Sequence, residues 1–126
     1  MGLKEKQAIA NLDFNWSIKR IKECTGKDVK IEIDTDSFSS DMDAIMFADS
    51  RGAQAIANGI AKVCHNDIGK DAFNEKNISK VMLRNQAAGS REITMKKGVL
   101  TLACAFTSND DHYSASEIHE AIENQL

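Results

Sequence analysis

Four aspartates fall within ten residues: Asp34, Asp36, Asp41 and Asp43. Carboxylate oxygens at that density are the ligand type that Mg²⁺ or Ca²⁺ takes. The order of residues is not that of an EF-hand loop. Counting from Asp34, Phe38 stands where that motif wants Asp or Asn, Ser39 where it wants Gly, and Ile45 where it wants Glu. A divalent-metal hydrolase or nuclease using the Asp34/Asp36/Asp41/Asp43 cluster is therefore an alternative reading. The simpler account puts Asp34 and Asp36 on a wet strand face, and Asp41 and Asp43 at a helix N-terminus, where acids offset the dipole.

Other chemistries find less footing. Asp110-Asp111-His112 and His119 gather carboxylates and imidazoles, but seven residues is not the usual i, i+4 spacing of a zinc pair. Cys64 and His65 adjoin, yet neighbours on a helix point about 100° apart and do not face each other. No G-x-S-x-G elbow, phosphate loop or dinucleotide fingerprint occurs. Cys24, Cys64 and Cys104 are far apart and odd in number, which suits buried small hydrophobes rather than a disulfide framework or zinc knuckle. No catalytic residue, metal or cofactor is assigned, and a non-enzymatic protein is expected.

Charge is distributed unevenly. From Ile31 to Ser50 there are six acids (Glu32, Asp34, Asp36, Asp41, Asp43 and Asp49) and no Lys or Arg. Ser108 to Leu126 repeats the bias with Asp110, Asp111, Glu117, Glu120 and Glu123. Arg51 to Thr107 runs the other way, with nine bases against four acids, although the net charge is only −3. Those bases are spread out and aromatic interleaving is poor. With a pI of about 5.6, nucleic acid is not the expected partner.

A length of 126 residues with 42% apolar and 28% charged content suits one folded domain, 1–126. No apolar run is long enough to cross a bilayer, and the first residues lack the apolar core of a signal peptide, so a cytoplasmic protein is expected. Leu3 to Thr25 reads as one long helix or two short ones, stopped at Gly26. Val29, Ile31 and Ile33 alternate with Lys30, Glu32 and Asp34, predicting a strand with Glu32, Asp34 and Asp36 on one face.

Ser40 is the expected N-cap of the next helix, Gly52 a break or kink in it, and Ala53 to Cys64 a helix with a stripe of small and β-branched residues. Asn66-Asp67 caps a short successor. Three strands follow: one around Val81 and Leu83, one around Ile93 and Met95, and one from Val99 to Thr107. The last is apolar on both parities, so it should be central and covered on both faces. Ser114-x-x-Glu117 is a capping box for a closing helix. The order α-β-α-β-β-β-α predicts an α+β domain with N-terminal, central and C-terminal helices on a mostly antiparallel sheet of about four strands.

The function expected from these observations is protein binding. A small acidic inhibitor, immunity-type or chaperone-type protein has this gross profile, a compositional likeness only. Its acidic surface would dock a basic protein, for instance a toxin or nuclease. Glu32, Asp34, Asp36, Asp41, Asp43, Asp110 and Asp111 would steer the encounter, with Phe38 and Tyr113 as apolar anchors. If Lys80 and Arg84 lie across the sheet from Glu32, Asp34 and Asp36, that stripe is neutralised internally instead.

Overall fold

A computed structural model describes residues 2–39 and 41–126. The N-terminal segment forms two short helices, α1 (Leu3–Ala10) and α2 (Asn15–Thr25), and α2 stops at Gly26. Strand β1 (Lys30–Ile33) leads through a 3₁₀ turn, Thr35–Phe38, into α3 (Met42–Phe47). Asp41 is the N-cap of α3, its carboxylate accepting from the Ala44 N–H at 3.1 Å. Ser40, the cap expected from sequence, lies outside the described residues.

Gly52 does not break the helix. The backbone runs on through a π-helical segment, Ala48–Ala53, into α4 (Gln54–Val63). The wider turn accommodates one extra residue and sets buried Gly52 against Leu83 and Phe106. α5 (Asp67–Glu75) starts at Asn66, which accepts from the Gly69 N–H at 2.8 Å. Then come β2 (Lys80–Asn85), β3 (Glu92–Lys96) and β4 (Val99–Cys104). Lys97 and Gly98 both take positive φ, 52° and 79°, and this tight reversal joins β3 to β4. α6 (Ala115–Glu123) opens on the expected capping box, with Ser114 and Glu117 bonded reciprocally.

The domain is α+β with a four-stranded sheet, but the sheet is mixed and mostly parallel, not mostly antiparallel. Strand order is β1-β2-β4-β3. β1 and β4 both run parallel to β2, and only the β3–β4 hairpin is antiparallel. The reason lies in the connections. The segment between β1 and β2 carries α3, α4 and α5 and is long enough for a crossover that returns the chain in the same direction. β4 then inserts between β2 and β3, so the hairpin's reversal makes it parallel to β2. Among the described residues the α-helices number six, because the N-terminal and central stretches are each divided.

One core unites the layers. Val81, Leu83, Ile93, Leu100 and Leu102 from the sheet are buried with Ile21 of α2, Ile56 and Ile60 of α4, and Ile118 and Ile122 of α6. Gly59 lets α6 approach α4. A Cβ at this position would sit 2.8 Å from the Ile118 Cβ and closer still to its Cγ2.

The other sheet face carries Lys80, Met82, Arg84, Thr94, Lys96 and Thr101, all exposed or half-buried. β4 is interior as expected, but its second face has no helix over it. Ala103 is buried there because it sits in register between Arg84 and Glu92, whose longer side chains rise on either side.

Candidate functional site

β1, β2 and β4 are mutually parallel, so their C-terminal ends lie on one edge of the sheet. The segments leaving that edge, 34–41 after β1, 86–91 after β2 and 105–114 after β4, are tied together there. Phe38 and Phe106 stack with ring centroids 5.5 Å apart. Asn85 Nδ2 donates to the Ser37 carbonyl at 3.2 Å and to Asp41 Oδ2 at 3.1 Å. The Gly89 N–H donates to Asp111 Oδ2 at 2.6 Å. Each base-free stretch of the sequence, remote from the other in the chain, is thus anchored at this end of the sheet, Asp41 through Asn85 and Asp111 through Gly89. This edge is where ligands bind in many open α/β sheets.

Few of those acids are free. Lys80 Nζ lies 3.3 Å from Glu32 Oε2, and Arg84 Nε lies 3.1 Å from Asp34 Oδ2. Parallel pairing of β1 with β2 allows both contacts: Ile33 opposite Leu83 brings Asp34 and Arg84 abreast, and Lys80, in register with Lys30, reaches Glu32 on the diagonal. Glu32 and Asp34 thus form a cross-strand charge match, whereas Asp36, expected on the same strand face, lies in the 3₁₀ turn because the strand ends at Ile33. Asp41 is occupied as helix cap and partner of Asn85, and Asp111 holds Gly89 and Ser108. Asp36, Asp43 and Asp110 are exposed, and among the described residues their carboxylates make no ion pair or hydrogen bond.

Neither expected anchor is available at the surface. Phe38 is fully buried against Phe106. Tyr113 is also buried, with the Arg91 guanidinium 4.5 Å above its ring. Each aromatic belongs to a polar stretch in the sequence, yet each pins that stretch to the core. Arg91 also lies 2.8 Å from Glu117, and its guanidinium holds the Glu117 carboxyl down to about 2, helped by the Ser114 N–H.

The buried thiols are unsuited to nucleophilic work. Burial pushes Cys64 up to about 11 and Cys104 up to about 12, so neither forms much thiolate near neutrality. Among the described residues, no three His, Cys, Asp or Glu side chains are grouped to hold a metal.

Concavity lies elsewhere, on the helical layer. A cleft of about 650 Å³ is lined by Arg20 of α2, by Asn58, Ala61 and Lys62 of α4, by His65 just beyond it, and by Ala115 and His119 of α6. A second hollow of about 280 Å³ shares Asn58 and Ala115 and adds Arg51, Gln54, His112 and Tyr113 among its walls. The cleft lies between α4 and its helical neighbours, with no strand residue in its lining. Sequence reasoning passed over this set because it draws on α2, α4 and α6, and no local spacing links Arg20 with His119. The single local signal is Arg51, Asn58, Lys62 and His65 at helical spacing.

No family model, no curated protein and no solved structure matches the chain.

Proposed function

We propose that this protein is a non-enzymatic binding module that docks a basic protein partner through the acidic edge at the C-terminal ends of β1, β2 and β4. The observation that supports this reading is that both base-free segments are anchored at that edge, Asp41 bonded to Asn85 at the end of β2 and Asp111 to Gly89 in the segment after it. The docking acids are reduced to exposed Asp36, Asp43 and Asp110. Glu32 and Asp34 are spent on Lys80 and Arg84, and Asp41 and Asp111 on local hydrogen bonds. Phe38 and Tyr113 support the edge from below rather than touching a partner.

Such an edge steers encounter more than it holds the complex, so its signature is a salt-dependent association rate. The reading of Asp34, Asp36, Asp41 and Asp43 as a metal centre gains no support, since Asp34 and Asp41 already have protein partners.

The test is affinity capture from the native host with the wild-type chain and with an Asp36→Asn/Asp43→Asn/Asp110→Asn variant. A basic protein retained by the first and lost or slowed by the second, with an association rate that falls as salt rises, agrees with the proposal. A captured partner that binds both chains at the same salt-independent rate removes it.

A further inference from the structure

The cleft on the helical layer has the opposite character to the chain as a whole. Its two adjoining hollows are lined by Arg20, Arg51, Lys62 and all three histidines, and by no carboxylate. Both arginines are held in place by neutral groups. Arg20 Nε donates to Asn58 Oδ1 at 2.8 Å, with the guanidinium over Trp16. Arg51 donates to the Phe106 carbonyl at 2.8 Å and to Asn109 Oδ1 at 3.0 Å, and stacks 3.9 Å above the Phe47 ring. Neutral acceptors fix position without cancelling charge, so these cations are preorganised and unneutralised. Two carboxylates stand behind the walls: Glu123 on His119 and Asp49 on Gln54.

Shape narrows the occupant. Arg51, Gln54, Ala55, Asn58, Ala61, Lys62 and His65 form one stripe along the π segment and α4. From residue 50 to 65 this groove runs roughly 20 Å at 1.5 Å per residue. Arg51 stands toward one end. Arg20, Lys62 and His65 stand toward the other, with small or neutral side chains between. A compact anion would meet only one end. An extended peptide of about six residues, at roughly 3.3 Å each, spans both. No large aliphatic side chain lines the groove, which disfavours an amphipathic helix. A long polyanion would meet the net −3 of the whole molecule, whereas a short acidic segment need only match the groove.

We infer that the groove along α4, between α2 and α6, is a docking site for an extended acidic segment of a protein partner. It adjoins the acidic edge, since His112 and Tyr113 belong to the 105–114 segment and Arg51 bonds Asn109, but it uses none of the docking acids and does not depend on that reading. The test is fluorescence anisotropy with a labelled heptaglutamate peptide at low salt, on the full chain and on two charge reversals at exposed residues. Lys62→Glu reverses a groove cation, and Lys96→Glu reverses a cation on the far sheet face. Binding that weakens about tenfold or more in Lys62→Glu, and stays within about twofold in Lys96→Glu, is the expected result. The inference is overturned by an absence of binding at millimolar protein. It is overturned equally by similar losses in both variants, or by pyrophosphate or oligothymidine competing as strongly as unlabelled heptaglutamate.

Discussion

Arg84 Nε lies 3.1 Å from Asp34 Oδ2, across the parallel β1–β2 pairing. That contact, with Lys80 on Glu32, turns the acidic strand face into a charge match within the sheet. Both pairs are well exposed, so their worth is in pattern and register more than in stability. A double-mutant cycle with Asp34→Asn and Arg84→Met should give a coupling of about 0.2–1 kcal/mol by urea denaturation. A coupling above about 2 kcal/mol would mean that the pair is far less solvated than its exposure indicates.

Phe38 should matter to folding. It is fully buried and stacked on Phe106, so Phe38→Ala should cost about 3–5 kcal/mol of unfolding free energy. An exposed docking anchor would leave stability nearly unchanged, and equilibrium denaturation separates the two.

Gly59 marks the closest approach of α6 to α4. A methyl group there meets Ile118, and no flexible side-chain end is available to move aside. Gly59→Ala should therefore destabilise by about 1–3 kcal/mol, although alanine is the better helix former. A stabilised variant would show that the two helices separate at little cost.

The Arg91–Glu117 pair has a pH signature. The folded carboxyl is held at about 2, below its ordinary 4.5, by the Arg91 guanidinium and the Ser114 N–H. A depressed carboxyl stabilises the fold above its unfolded value, and that contribution is lost as pH falls from about 4.5 toward 2. Glu117→Gln keeps a capping-box side chain but removes the charge. Its deficit in urea midpoint relative to wild type should be present at pH 6 and shrink between pH 4.5 and 2. A deficit constant across that range would point to lost packing instead.

The cysteines should divide by burial. Cys64 and Cys104 are buried, with thiols pushed up to about 11 and 12, while Cys24 is half-exposed. Brief iodoacetamide treatment of the native protein at pH 8 should label Cys24 first, and denaturation should open all three. Mass spectrometry of the intact chain and its peptides reads this directly. Early labelling of Cys104 would show that the end of β4 opens readily.

Much of the local structure was legible in the amino-acid order. The Ser114/Glu117 capping box, the Asn66 cap, the α2 stop at Gly26 and the alternation in β1 all depend on residues a few positions apart. Short-range sterics and hydrogen bonding decide such features without reference to the rest of the chain. The interior place of β4 was also readable, because apolar residues occur on both of its parities.

Strand direction and the fate of the acids were not. Whether β2 runs with or against β1 depends on how α3, α4 and α5 pack between them, and β4 reaches β2 by displacing its own hairpin partner from that position. Only that tertiary arrangement brings Asp34 to Arg84, buries Phe38 beneath Phe106, and sets Arg20 beside Asn58 in a cation-lined groove on an acidic protein. Periodicity records which side of an element is buried. Which charges meet across elements is decided by long-range pairing, and one sequence carries no local mark of it.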